Sequence, residues 1–184
     1  MTYQLTWLPS VLRAAGLTVV EEPGWESRGH GDMGVVKGAM CHHTAGCLHE
    51  SDLSMTETLI HGRPGLDGPL SQLGLNEKGV YYMIAAGRCW HAGPGEWQGI
   101  TAGNSSFIGI EAANTGLGND EWEAAQMEAY AKGCAAILKH IGAKPIMCVG
   151  HKEYATPKGR KIDPTFSMPE FRVNVANLMG VSVE

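Results

Sequence analysis

The hydrophobic positions of this chain recur with two different periods, which predict helices and strands in alternation. One set falls on a single face at helical spacing, and it comprises Met127, Tyr130, Cys134, Ile137, Leu138 and Ile141. Residues 35–43 are instead apolar on both strand faces, as in a central strand that is buried on both sides. The pattern therefore predicts a long amphipathic helix and a buried sheet.

Turn signals divide the rest of the chain into shorter elements. Asn76-Glu77-Lys78-Gly79 separates residues 70–75 from residues 80–85 and predicts a hairpin. Asp120 and Glu123 resemble a capping box at the start of the long helix. Further strands are predicted at 17–20, 107–113 and 145–149, and further helices at 8–15, 54–60 and 169–178. The fold class is therefore α/β, with a central mixed β-sheet flanked by helices.

Composition narrows the class of protein. The 184 residues are 43% hydrophobic, which is enough for one well-buried core. No linker, charge block or repeat divides them, so we expect one domain over 1–184, with its core at about 20–178. The formal net charge of −5 gives no basic surface for nucleic acid or an anionic membrane. No apolar run is long enough to insert into a membrane. For the oligomeric state, we expect a monomer.

The cysteines and the first residues bear on the compartment. Five cysteines without a CxxC pair predict reduced, mostly buried thiols rather than a disulfide framework. The chain starts without the charged and apolar regions of a secretory signal. We therefore expect synthesis in a cytoplasm, and any action outside the cell needs another export route.

Two histidines and one aspartate are candidate metal ligands. His42 ends a buried strand, and His151 follows a short apolar strand and is predicted to leave the sheet in a loop. Asp163 follows a loop that can fold back to the same edge of the sheet. Zinc sites with three protein ligands leave a fourth position for water and are the catalytic ones. His43 points to the opposite strand face, so only His42 of the pair is predicted as a ligand.

Glu111 and Lys161 are candidate catalytic groups. Glu111 shares a strand face with Phe107 and Gly109, opposite the core-facing isoleucines, and an apolar setting raises a carboxyl pKa toward the range of a general base. Gly109 leaves room beside it for a close approach. Lys161 lies two residues before Asp163 and could stabilise an oxyanion. The alternatives are a salt-bridged strand glutamate and a solvated surface lysine.

Four ordered motifs resemble those of the zinc N-acetylmuramoyl-L-alanine amidases, the amidase-2 group related to peptidoglycan recognition proteins and phage T7-type lysozyme. They are Cys41-His42-His43-Thr44-Ala45-Gly46, Cys89-Trp90-His91-Ala92-Gly93, Ile108-Gly109-Ile110-Glu111, and Gly150-His151 with Gly159-Arg160-Lys161-Ile162-Asp163-Pro164. The resemblance covers roughly residues 20–175. Segments 24–31 and 62–66 look specifically like amidases of actinobacteria and their phages.

The resemblance implies a fold, a cofactor and a reaction. It implies a zinc ion on His42, His151 and Asp163, with Glu111 as base and Lys161 as oxyanion partner. The reaction is hydrolysis of the amide between N-acetylmuramic acid and L-alanine of peptidoglycan, whose glycan and stem peptide are the expected partners. A tyrosine of T7-type members is replaced near Ser71, so Glu111 must transfer the proton alone. Expected substrate contacts are His91, Trp90, Asn114, His43 and Arg63.

The missing secretory signal favours the catalytic domain of a phage endolysin. Such a protein is made in the host cytoplasm and reaches the cell wall after release by a holin. Three alternatives remain at this point. They are a cytoplasmic amidase that recycles soluble muropeptides, a non-catalytic peptidoglycan-binding module, and a structural protein with an incidental metal site.

Overall fold

The computed structural model describes residues 2–183, which contain a six-stranded sheet and a separate two-stranded hairpin. The strands are β1 (Val19–Glu21), β2 (Gly38–His43), β3 (Gly62–Arg63), β4 (Leu66–Asp67), β5 (Leu73–Leu75), β6 (Tyr81–Met83), β7 (Phe107–Ala112) and β8 (Cys148–Gly150). The helices are α1 (Leu8–Ala14), α2 (Asp52–His61), α3 (Gly103–Ser106), α4 (Ala124–Ile141), α5 (His151–Tyr154) and α6 (Met168–Met179). Among these residues no helix is long and apolar enough to cross a bilayer.

The large sheet is mixed, with strand order β1-β6-β5-β7-β2-β8. Only β5 and β6 pair in the antiparallel sense, as the hairpin prediction requires. The other neighbours pair in parallel. The prediction of a mixed central sheet flanked by helices is therefore confirmed.

The two faces of the sheet bury different sets of side chains. One face carries Cys41, Ile108 and Ile110 into the main core, which also contains Leu138 of α4 and Val175 of α6. The other face carries smaller apolar clusters, under α2 and under the segment 89–106. Strand alternation explains the division, because successive side chains point to opposite faces. The predicted inward direction of the two isoleucines is confirmed.

The register of three parallel strands brings the candidate ligands to one edge. His42 is paired with Glu111 across β2 and β7. Cys41 is paired with Gly150 across β2 and β8, so the next residue, His151, emerges beside His42. Carboxyl ends of parallel strands are where side chains leave a sheet and line a cleft.

Three local predictions were wrong. Asp120 does not cap α4, because its carboxylate accepts the backbone N–H of Thr115, and the N-cap is Glu123 without a side-chain hydrogen bond. The strand predicted at 145–149 begins as a 3₁₀ turn, Pro145–Met147, and only Cys148–Gly150 is extended. His151 is the first residue of α5 rather than part of a loop.

A candidate metal centre in an open cleft

His42, His151 and Asp163 converge at the edge of the sheet, as predicted. Oδ2 of Asp163 lies 3.0 Å from Nδ1 of His42 and 3.0 Å from Nδ1 of His151. The two Nδ1 atoms are 3.1 Å apart. All three residues are buried, with exposures of 1%, 4% and 8% in sequence order. Together they form a set that could hold a metal ion.

The loop that carries Asp163 is tied to α5. The backbone N–H of Lys152 donates to the carbonyl oxygen of Asp163 at 2.7 Å. The ammonium of the same lysine donates to the carbonyl of Phe166 at 2.7 Å. Two hydrogen bonds from one residue of α5 therefore hold the aspartate beside the imidazole that begins the helix.

The hydrogen bond made by His151 shows what its other nitrogen can do. Its Nε2 lies 2.8 Å from the carbonyl oxygen of Ala92. A carbonyl oxygen only accepts, so Nε2 carries a hydrogen, and a metal ion would bind the lone pair of Nδ1. Nδ1 faces the carboxylate of Asp163 at 3.0 Å. Two acceptors repel at this distance unless a proton or a metal ion lies with them.

The donor set fits a divalent ion that accepts nitrogen and oxygen ligands. Two imidazole nitrogens and one carboxylate oxygen are a common set for catalytic zinc. Ligand atoms about 2.0 Å from a tetrahedral ion are separated by roughly 3.3 Å, close to the separations seen here. Burial lowers the pKa of His42 to about 4, so its imidazole is neutral at pH 7, as a metal ligand must be.

Glu111 stands beside this cluster with one oxygen uncommitted. Its Oε1 lies 3.9 Å from Nδ1 of His42. Its Oε2 is buried without a hydrogen-bond partner among residues 2–183. Burial, followed by the charge of Asp163, raises the pKa of Glu111 well above its usual value. The structure thus places a carboxyl group with elevated proton affinity next to the candidate metal centre.

A cleft of about 560 Å³ opens over the cluster. Glu111, His151 and Asp163 form part of its wall. The predicted catalytic lysine and four of the predicted substrate contacts also line it, namely Lys161, His43, Arg63, Trp90 and His91. The structure therefore brings these residues together around one opening, with cations near the carboxylates.

Two of these lining residues have distinct surroundings. Trp90 stacks on His30 with ring centroids 4.4 Å apart, and the guanidinium of Arg88 lies 5.3 Å from the Trp90 ring centroid. His43 is buried, and its Nδ1 has no hydrogen-bond partner among residues 2–183. Trp90 is therefore braced in place, whereas His43 retains an uncommitted polar atom at the cleft.

Asn114 and Ser71 lie outside this group. The side-chain amide of Asn114 donates to the carbonyl of Asp120 and accepts the N–H of Gly116, so both of its ends brace a loop. These contacts do not favour its expected substrate role. The hydroxyl of Ser71 is fully buried and lies 2.8 Å from the carbonyl oxygen of Gly109 and 3.0 Å from that of Leu73, so its single hydrogen is shared between these two acceptors. At this position the chain offers no phenol to the cleft.

The sequence interpretation missed two supports of the metal centre. One is the carbonyl of Ala92, which no side-chain pattern marks because it acts through its backbone. The other is a hydrogen bond between His42 and His91. A signal for the second did exist, because Gly109 was read as leaving room for a close approach. The group that approaches is the ring of His91, whose Cγ lies 2.8 Å from where a Cβ on Gly109 would stand.

The family comparison covers most of the chain. Residues 32–166 match the model of the family Amidase_2, described as N-acetylmuramoyl-L-alanine amidase. The match includes the three candidate ligands, Glu111 and Lys161. No curated protein sequence matches the chain.

Solved structures of amidases share the fold at low identity. An E. coli N-acetylmuramyl-L-alanine amidase, AmiD, solved with anhydro-N-acetylmuramic acid-L-Ala-D-γ-Glu-L-Lys, is 22% identical to this chain with a TM-score of 0.62. That match covers 89% of this chain and 66% of AmiD. A selenomethionine derivative of AmpD is 20% identical with a TM-score of 0.67, and the match covers 95% of this chain and 99% of AmpD. The endolysin LysCS of Clostridium intestinale URNW is 17% identical with a TM-score of 0.54, and the match covers 90% of this chain and 97% of LysCS.

Proposed function

This chain belongs to the Amidase_2 family of N-acetylmuramoyl-L-alanine amidases, and we propose that it is a zinc-dependent hydrolase of peptidoglycan. The bond cleaved is the amide between the lactyl group of N-acetylmuramic acid and L-alanine. The observation that carries the proposal is the convergence of two imidazole nitrogens and a carboxylate in an open cleft beside Glu111.

The residues that would hold the ion are His42, His151 and Asp163, the first two through Nδ1. When bound, zinc supplies Lewis acidity that polarises the amide carbonyl and acidifies a water molecule. The remaining chemistry belongs to side chains of this chain.

Glu111 moves the proton. Its raised pKa gives it a higher affinity for the proton of the attacking water than an ordinary carboxylate has. The water oxygen adds to the carbonyl carbon, and the C–N bond then breaks. Glu111 returns the proton to the departing nitrogen, which leaves as the amine of L-alanine. The carboxylic acid formed on the lactyl group then releases its own proton to solvent and becomes a carboxylate.

Lys161 and the rim of the cleft act on charge and orientation. The ammonium of Lys161 stabilises the oxyanion of the tetrahedral intermediate. Arg63, Arg160 and Lys161 together give the cleft three cations, which suit the carboxylates of a stem peptide. Trp90 offers an aromatic face in the same cleft. These contacts orient the amide toward the candidate metal centre.

The biological role proposed is that of a phage endolysin catalytic domain, acting as a monomer on the host wall. Its support is the resemblance of segments 24–31 and 62–66 to actinobacterial and phage amidases. Recycling of soluble muropeptides is the second candidate, because AmiD was solved with an anhydromuropeptide. Comparing turnover of intact sacculi with turnover of soluble anhydromuropeptides separates these roles.

Digestion of purified cell wall tests the proposed reaction. The expected products are new N-terminal alanine amines and free muramyl lactyl carboxylates in equal amounts, without new reducing sugar ends. Glu111→Ala serves as the matched control, which keeps zinc and releases no alanine amine. New reducing ends, or a fully active Glu111→Ala variant, would contradict the proposal.

A further inference from the structure

His91 connects His42 to the backbone of the neighbouring strand. Nε2 of His42 lies 3.1 Å from Nδ1 of His91, on the side of the imidazole opposite the candidate metal centre. Nε2 of His91 lies 3.2 Å from the carbonyl oxygen of Phe107. The two rings are nearly perpendicular, with centroids 5.2 Å apart. Three groups on three segments thus form one chain of hydrogen bonds.

The carbonyl oxygen at the end of this series of hydrogen bonds determines which ring nitrogens carry hydrogens. The Phe107 carbonyl can only accept, so Nε2 of His91 carries a hydrogen. His91 is buried and its ring lies beside a second imidazole, so in the neutral ring the other nitrogen, Nδ1, has only a lone pair. Nε2 of His42 must then carry the hydrogen that is donated to His91. Nδ1 of His42 is left with its lone pair facing Asp163 and His151.

We propose that His91 is a positioning residue that holds His42 in the tautomer and ring orientation needed to bind the metal through Nδ1. This proposal rests on the proposed function for the zinc ion and does not depend on which bond the protein cleaves. A histidine ligand is fixed by the hydrogen bond that its other nitrogen donates, and such partners tune metal affinity. His91 thus acts on the metal through His42, in addition to its place in the cleft wall.

The surroundings of His91 hold it in this position. Its ring packs on Gly109, where any Cβ would collide with it at 2.8 Å. The side-chain oxygen of Asn104 accepts the backbone N–H groups of His91 and Ala92, at 2.9 and 2.8 Å. The carbonyl of Ala92 in turn accepts from Nε2 of His151. One short segment therefore orients both imidazole ligands, one through a side chain and one through the backbone.

Two isosteric substitutions separate this role from simple packing. In His91→Asn, the amide oxygen can take the place of Nδ1 and accept from His42. In His91→Gln, the amide reaches the position of Nε2 and keeps the bond to the Phe107 carbonyl, but offers His42 no acceptor. Both variants remain polar and similar in size, so a purely structural role predicts similar losses for both.

The primary measurement is zinc affinity by competition with a chromophoric chelator. We expect His91→Gln to weaken zinc binding by about 10- to 100-fold, and His91→Asn to stay within about threefold of the parent protein. Gly109→Ala, which displaces the His91 ring without altering a ligand, should resemble His91→Gln. Thermal unfolding of the metal-free variants, monitored in parallel, reports whether any of them has lost the fold.

Nitrogen-15 NMR of the histidine rings gives a second readout. We expect the neutral Nε2–H tautomer of His42 in the metal-free parent protein and in metal-free His91→Asn. In metal-free His91→Gln the His42 signals should show a mixture of tautomers.

Unchanged zinc affinity in His91→Gln would overturn the proposal, as would equal losses in the two isosteric variants. These outcomes concern zinc binding and ring tautomers alone. Failure to cleave peptidoglycan would count against the proposed function while leaving them unchanged.

Discussion

Two clusters of three candidate ligands lie on opposite faces of the same strand. The His–Asp cluster consists of His42, His151 and Asp163, and the thiol cluster consists of Cys41, Cys134 and Cys148. Cys41 and His42 are neighbours on β2. In the thiol cluster, the sulfur of Cys41 lies 3.8 Å from that of Cys134 and 3.7 Å from that of Cys148. Spacing alone does not distinguish the two sites.

Their chemical settings differ. In the His–Asp cluster, hydrogen bonds to His91 and the Ala92 carbonyl leave two lone pairs turned toward a carboxylate. In the thiol cluster, burial raises the pKa of Cys41 and of Cys134 well above the usual value. Hydrogen bonds from those two thiols lower the pKa of Cys148 to about 5. Cys41 and Cys134 are therefore thiols at neutral pH, whereas the thiolate is the form that binds metals.

Access differs as well. The His–Asp cluster opens on the cleft, whereas the three cysteines have no exposed surface and belong to the main core. A divalent ion on three thiolates would leave a net charge in an apolar interior, which is costly without a close counter-charge. Proximity of ligand atoms therefore indicates a metal centre only when the ligands are also deprotonated and accessible to the ion. We infer that the thiol cluster is core packing.

The largest effect is expected from Asp163→Ala. It removes one ligand and the only carboxylate of the His–Asp cluster, so zinc binding should fall below one equivalent and amide hydrolysis by about 10⁴-fold or more. Zinc content by atomic emission and release of alanine amines measure the two effects. Full activity in this variant would contradict the conclusion that the His–Asp cluster, unlike the thiol cluster, is a catalytic metal centre.

Glu111→Gln tests whether the carboxyl group beside the His–Asp cluster transfers a proton. The substitution keeps the size of the side chain and removes its ability to take a proton. We expect one bound zinc per chain, an unchanged KM and a kcat lowered by about 10²- to 10³-fold. A parallel loss of zinc would show that Glu111 supports the ligands rather than moving a proton.

Arg63→Ala tests the open side of the His–Asp cluster. Arg63 is exposed at the cleft, so its contribution is screened by solvent and salt. We expect KM for a stem-peptide substrate to rise by about 3- to 10-fold with kcat unchanged. Lys158→Ala, which removes an exposed lysine outside the cleft lining, is the matched control and should leave KM unchanged.

Cys134→Ala should have the smallest effect on activity. It breaks the thiol cluster without touching the cleft, so zinc content and kcat should equal those of the parent protein. The lost packing should cost about 1–2 kcal/mol in the free energy of unfolding, measured with urea. Loss of one metal equivalent in this variant would identify the thiol cluster as a second metal centre.

Periodicity predicted what depends on local sequence. Strand alternation separated His42 from His43 and placed Ile108 and Ile110 in the core, because side-chain direction follows from position in a strand. Its position two residues before Asp163 marked Lys161 as a candidate, and the match of four motifs to a family supplied the expected substrate contacts. The fold class followed from the order of the elements.

What the sequence did not predict lies in contacts that no local pattern marks. Asp120 was predicted to cap a helix, but its carboxylate is used by Thr115 within a loop. His91 was assigned to the substrate groove, and its bond to His42, 49 residues away, follows only from the folded arrangement of strands. Ala92 acts through a backbone carbonyl, which no side-chain pattern reveals.

Anomalous scattering of zinc-loaded crystals, recorded on both sides of the zinc absorption edge, tests most directly whether the His–Asp cluster holds the ion. We expect a single peak bounded by Nδ1 of His42, Nδ1 of His151 and the carboxylate of Asp163. A peak among the sulfurs of Cys41, Cys134 and Cys148, or none at the His–Asp cluster, would contradict it.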